Sequence, residues 1–203
     1  MKIGLYFGTF NPIHVGHLII ANHMAEYSSL EQIWMVVTPH NPHKEKNSLL
    51  DDYKRLHLVS LAAEDFPKIK ASDFEFKLPQ PNYTVNTLAH LQDKYPSHEF
   101  SLIMGEDNLK TFHKWKNYEV ILQNHNIYVY PRVSSEADPS LKGELAKQNP
   151  DFENHPRIHK IDAPIVEISS TFIRESRKNK KNVQPLLPAK VWEYIDYNNL
   201  YKK

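Results

Sequence analysis

The sequence predicts an α/β protein built on a doubly wound parallel sheet, with a small helical part at its C-terminal end. Two observations carry this prediction. Short, almost continuous apolar runs alternate along the chain with stretches of helical periodicity, the pattern of a parallel sheet covered on both faces. The runs also end near Gly8, Pro39, Gly105 and Arg132, which would meet at the carboxyl rim of the sheet, where such folds bind ligands. The chain has 203 residues, 40% hydrophobic and 24% charged, which suits one domain over 1–203.

The elements follow in order. "KIGLYF" reads as a buried strand ending at Gly8. "GHLIIANHMAEY" places Leu18, Ala21 and Ala25 on one helical stripe, with Ile20 and Met24 beside it. "QIWMVVTP" is a second strand, stopped by Pro39. Asp51 or Asp52 can cap the helix "DYKRLHLVSLAAEDF". "IKASDFEF" reads as a strand and "YTVNTLAHLQDKY" as a helix. "EFSLIMG" is a strand ending in Gly105, and "EDNLKTFHKW" and "NYEVILQN" are short helices. "NIYVYPR" and "RIHKID" are further strands, separated by a polar, proline-interrupted excursion over 134–156. A helix starts within Ser169 to Ser176, and "PAKVWEYIDYNNL" is the last one.

Composition narrows the function. A net charge of +1 leaves no broad basic field, which disfavours general nucleic-acid binding. Cysteine is absent, so no disulfide or thiolate metal site exists. No run is apolar enough for a signal peptide or membrane span, so a soluble, cytoplasmic protein is expected.

The most informative stretch is "YFGTFNPIHVGHL", Tyr6 to Leu18. Strand, glycine turn and helix in this order present bare backbone N–H groups to an anion. His14 and His17, three apart, share a helical face at the positive end of the helix dipole. Gly8 and Gly16 would keep the backbone open to a ligand. The established phosphate loops G-x-G-x-x-G and G-x-x-x-x-G-K-[ST] are both missing. With twelve histidines in the chain, the pair has a structural reading too, and a metal reading that lacks a third ligand.

A second anion site is suggested by "ISSTFIRES", Ile168 to Ser176. Ser169, Ser170 and Thr171 are good N-caps, and Arg174 brings a cation into the first turn, where it opposes the dipole unless an anion is bound. The competing reading is a capped surface helix with Arg174 paired to Glu167 or Glu175.

"GTFNPIHVGHL" resembles the H-x-G-H signature of the nucleotidylyltransferase superfamily, and "ISSTFIR" its second phosphate motif. "NPHK", "NYTVNTL", "LIMGEDNLKTFHKW" and "PLLPAKVWEYI" resemble, in order, segments of nicotinate-nucleotide adenylyltransferases. The resemblance implies a Rossmann-like fold of the nucleotidylyltransferase type. It implies a reaction of ATP, carrying Mg²⁺ without a dedicated protein cage, with nicotinate mononucleotide to give deamido-NAD and pyrophosphate. By the match, His14, His17, Lys44 and Arg174 would be catalytic. Gly8, Thr9, Phe10, Gly105, Asp107, Ser169, Ser170 and Thr171 would bind ATP. Lys44, Thr84, Trp115 and Arg132 would contact the second substrate, with backbone N–H groups near Thr84 and before Trp115 receiving the nicotinate carboxylate. Trp115 either stacks on the pyridine ring or packs in the core. Two positions depart from the family pattern: Phe7 replaces a glycine, and Asn11 an aspartate. A nicotinamide-mononucleotide adenylyltransferase, a catalytically silent nucleotide-binding module and a histidine metallohydrolase remain open. Oligomeric state is not legible.

Overall fold

The structure is a computed structural model that describes residues 1–39, 49–131, 152 and 154–202. Among them, six strands form one sheet: β1 (Lys2–Gly8), β2 (Gln32–Val37), β3 (Ile69–Ser72), β4 (Glu99–Gly105), β5 (Ile127–Tyr130) and β6 (Ile158–Lys160). Their order is β3-β2-β1-β4-β5-β6, and every pairing is parallel. The helices are α1 (Val15–Tyr27), α2 (Asp52–Ala63), α3 (Thr84–Lys94), α4 (Glu106–Thr111), α5 (Tyr118–Asn124), α6 (Ser170–Lys178) and α7 (Ala189–Tyr197).

Strand alternation splits the core in two. Tyr6 of β1 faces a layer made by α1, α2 and α7, with Met24, Leu58, Val59, Val191 and Ile195 at its centre. Ile3 and Leu5 face the opposite layer, where Leu88 and Leu91 of α3 and Ile121 of α5 pack with Phe112. Phe152 joins this second layer, so the chain is back in the core just before β6. The predicted stripe of α1 is buried, while Ile19, off the stripe, is exposed. Asp51 caps α2, accepting the N–H groups of Tyr53 at 3.1 Å and Lys54 at 3.2 Å. No helix among the described residues is long and apolar enough to cross a membrane.

The C-terminal helices are tied down by cations. Lys190 at the start of α7 pairs with Asp65 at 2.8 Å and Glu64 at 3.2 Å, just past α2. Arg177 of α6 is buried against the face of Trp192 and donates to the carbonyls of Leu200 and Ile195 and to the Asp196 carboxylate. This fixes the last residues of the chain beside the sheet.

One element departs from the sequence reading. "IKASDFEF" is strand only to Ser72, and Phe74–Lys77 forms a 3-10 turn. The Ser72 hydroxyl oxygen accepts the Phe74 N–H and turns the chain. Glu75 is thereby carried inward, to 3% exposure, where its Oε1 accepts the Thr87 hydroxyl at 2.9 Å. Its Oε2 has no partner among the described residues. Burial therefore raises the Glu75 carboxyl above its ordinary value of 4.5.

The raised value has a signed consequence for stability. Below pH 4.5 the carboxyl is protonated in both the folded and the unfolded chain. As pH climbs past that value, the unfolded chain ionises first, so the folded state loses stability up to its own, higher value. Glu75→Gln removes this titration while keeping the shape. The variant should match the parent in acid and melt at a progressively higher temperature than the parent toward neutral pH. Melting curves at several pH values check this; a difference independent of pH would contradict it.

Candidate active site

The strand order places β1 and β4 side by side at the centre of the sheet, where the winding direction reverses. In such sheets the loops leaving these strands part at this point, at the carboxyl rim, where ligands bind. The β1–α1 loop brings Thr9 to His14 there; the β4–α4 junction brings Gly105 and Asp107.

His14 is the N-cap of α1 and is 4% exposed, whereas His17, one turn in, is half-buried. Their rings stack with centroids 3.7 Å apart. The His14 backbone N–H donates to His17 Nδ1 at 3.2 Å. An imidazole nitrogen that accepts from a backbone N–H carries no hydrogen, so the neutral His17 ring holds its proton on Nε2. Phe10 meets His17 edge-on at 5.0 Å. The pair is thus a fixed arrangement with one tautomer selected by the backbone.

The two glycines of the motif are present for packing. Phe10 has a left-handed backbone (φ 46) that folds its ring over Gly8, where a Cβ would lie 2.8 Å from the ring. At Gly16 a Cβ would come within 3.0 Å of Val166 and 3.1 Å of the His14 ring. These contacts give both glycines a packing reason beside the sequence reading of an open backbone. The Phe10 side chain, at 2% exposure, belongs to the core. Thr9 is exposed at the rim.

The second motif is joined to the first. Ser170 Oγ donates to the Pro12 carbonyl at 2.8 Å, and Arg174 to the Asn11 carbonyl at 2.8 Å. Arg174 also donates to Thr171 Oγ1 at 3.3 Å, and reaches neither Glu167 nor Glu175. Only two of its five N–H donors are used by these contacts. Ser169 caps α6, accepting the Phe172 N–H at 3.1 Å. The hydroxyls of Ser170 and Thr171 therefore brace the motif. The N–H groups of Ser170 and Thr171 have no acceptor among the described residues. Two helix N-termini and a guanidinium converge on one crevice, which suits a polyanion.

Arg55 and Tyr201, which the sequence reading missed, hold this region together with Asn11. Arg55 of α2 is fully buried and donates to the carbonyls of Thr9 at 2.5 Å, Thr38 at 2.9 Å and Leu50 at 3.1 Å, and to Asp52 at 2.5 Å. Asn11 Oδ1 accepts from the Leu50 N–H at 3.3 Å and from the Tyr201 hydroxyl at 2.7 Å. Burial holds the Tyr201 hydroxyl well above the ordinary tyrosine range, so it stays a neutral donor.

Thr84 is the first residue of α3, and the N–H groups of Thr84 and Val85 have no acceptor among the described residues. Trp115 is half-buried, edge-on to Phe112 at 5.4 Å, so it packs with one part and presents another. Its own N–H is bonded to the Phe112 carbonyl at 2.9 Å. The N–H groups of Lys116 and Asn117, which follow the tryptophan, have no acceptor among the described residues. Lys116 Nζ sits 4.2 Å from the Tyr83 ring and so joins this turn to the start of α3. Lys44 and Arg132 lie outside the described residues.

Arg55→Met keeps the length of the side chain and removes every donor. The three loop carbonyls would lose their partner, at a cost of about 1–3 kcal/mol for each one that stays buried. A fall of about 3 kcal/mol or more in urea-unfolding stability is expected; a loss under about 1 kcal/mol would show that water replaces the clamp.

The model of the cytidylyltransferase-like family matches residues 5–176. "Probable nicotinate-nucleotide adenylyltransferase" of Flavobacterium psychrophilum is 73% identical over 203 residues, covering 100% of both chains. The protein of the same name from Flavobacterium johnsoniae is 71% identical with the same coverage. Among solved structures, Plasmodium falciparum nicotinic acid mononucleotide adenylyltransferase, complexed with NaAD, superposes with a TM-score of 0.76 at 18% identity, covering 99% of this chain and 97% of that one. The last likeness bears on the fold. With identity this high along its whole length, the chain belongs to the nicotinate-nucleotide adenylyltransferases of the cytidylyltransferase-like family.

Proposed function

We propose that the protein transfers the adenylyl group of ATP to nicotinate mononucleotide, forming deamido-NAD and releasing pyrophosphate. The observation that supports this reading is the joining of the α1 and α6 N-termini through the Asn11 and Pro12 carbonyls, with His14 and His17 stacked in the first of these segments. The names of the relatives, identical at 73% and 71% of positions, agree with it.

The chemistry asks little of a base. A phosphate oxygen of the mononucleotide, already anionic, attacks the α-phosphorus of ATP. The bond from that phosphorus to the α–β bridging oxygen breaks, and pyrophosphate leaves with the electron pair. Catalysis is then alignment and charge stabilisation. His17 Nε2–H donates to the α-phosphoryl oxygens as negative charge grows there. The α6 N–H groups and Arg174 hold the leaving pyrophosphate. Gly105 and Asp107 face the adenylate ribose, for which the exposed Asp107 carboxylate is an acceptor. Mg²⁺ supplies counter-charge when bound to the triphosphate. A hard cation of this kind would take phosphate and water oxygens. Lys44 and Arg132 belong to the proposal by sequence alone.

Two measurements test it. His17→Ala should lower kcat about a hundredfold or more while changing the KM for ATP little, because its donor acts mainly on transition-state charge. Near-normal kcat in a folded variant would remove His17 from the mechanism. The second compares nicotinate and nicotinamide mononucleotides. Donor-only groups at Thr84 and beyond Trp115 suit a carboxylate, and would leave a carboxamide NH₂ facing other donors. Each such mismatch costs about 1–3 kcal/mol, so two predict roughly a hundredfold or greater preference for nicotinate mononucleotide in kcat/KM. Equal values would reject the nicotinate assignment and leave the adenylyl transfer standing.

A further inference from the structure

We propose that the Lys116 side chain is a specificity-determining group: its ammonium attracts the ring carboxylate of the acceptor nucleotide. The inference rests on the adenylyl-transfer reading above and deepens its acceptor site. Lys116 is exposed and adjoins Trp115 in sequence, and Asn117, in the left-handed region (φ 50), turns the chain sharply after it. Its Nζ lies 4.2 Å from the centre of the Tyr83 ring, and Tyr83 is the N-cap of α3 that precedes Thr84. The cation therefore stands where the two segments meet that carry Thr84 and Trp115. No carboxylate among the described residues pairs with it. The first turn of α3 offers none either.

A lysine ammonium beside the positive end of a helix is disfavoured unless an anion lies between them. A long, flexible side chain held on an aromatic face is also partly ordered in advance. Nicotinate carries a full charge on its ring substituent and nicotinamide carries none. The backbone donors at this turn are neutral and discriminate only through the mismatch with the carboxamide NH₂. Lys116 distinguishes the two by charge.

The experiment measures kcat and KM for both mononucleotides with ATP and Mg²⁺ in the parent, Lys116→Met and Lys116→Arg proteins. Lys116→Met should raise the KM for nicotinate mononucleotide about fivefold, with kcat and the KM for ATP within about twofold, as befits a partly exposed charge contact. The KM for the nicotinamide analogue should stay near that of the parent, so the selectivity ratio falls about fivefold. Lys116→Arg should restore most of the ratio, and in the parent the ratio should shrink as ionic strength rises. An unchanged ratio in a folded, active Lys116→Met protein overturns the proposal. So does an equal loss with both mononucleotides, which marks Lys116 as merely shaping the turn. A parent that joins neither mononucleotide to ATP overturns the adenylyl-transfer reading itself, and is seen before any variant is made.

Discussion

The rim of the sheet depends on one guanidinium. Arg55 takes the carbonyls of Thr9, Thr38 and Leu50, from the loop after β1, the segment after β2 and the approach to α2. The β1–β2 ladder ends with the Thr38 N–H on the Gly8 carbonyl, and a buried carbonyl beyond it without a donor is costly. Only arginine offers enough donors in a rigid plane to satisfy three carbonyls and a carboxylate together. Lysine would reach fewer of them and arrive as a strongly hydrated point charge. The burial of the charge is offset locally by Asp52, one turn earlier on α2, which is only partly covered. The loop that carries the histidines is therefore held from below by α2.

A second tie links the start of the chain to its end. Arg177 fixes Leu200 and Asp196, which sets Tyr201 against Asn11. Asn11 in turn receives Leu50, and its carbonyl receives Arg174. The oxygen of the Asn11 amide does the accepting, which an aspartate could also do. The difference lies in charge. Both Arg174 and Arg55 act on the Tyr201 hydroxyl, so both guanidinium charges lie close to this junction. Asp52 answers Arg55. With a neutral amide at position 11, the charge of Arg174 is left to the crevice, where it favours a bound polyanion.

The strands were legible because a parallel sheet buried on both faces writes itself as continuous apolar runs, as in "KIGLYF" and "EFSLIMG". The exception is instructive. "SDFEF" alternates as a strand does, but the Ser72 hydroxyl competes for the backbone, and Thr87, twelve residues beyond Glu75, takes the carboxyl. Both phosphate-like motifs were legible as helix starts because local spacing encodes one, and α1 and α6 begin there. The reasons for the glycines were not, since Gly8 answers to the left-handed turn of Phe10 and Gly16 to Val166, far away in sequence. Arg55 was invisible for the same cause. On α2 it sits in "DYKRLHLV" among charges that read as a solvated face, and its partners come from separate loops. Tyr201 and Lys116 also gain their meaning only from contacts across the fold.

These ties converge on the orientation of a single imidazole. His17 is stacked on His14, flanked by the edge of Phe10, and bonded at Nδ1 to the backbone of its own helix cap. Each contact removes a way for the ring to turn. Phe10 holds its place because Gly8 has no side chain, and the loop holds its place because Arg55 grips Thr9. The entropy of aiming the donor is thus lost on folding, when burial of the Phe10 ring opposes it, and not at the moment of reaction. For the proposed reaction, whose nucleophile is already charged, a donor oriented in advance of the reaction is the economical arrangement.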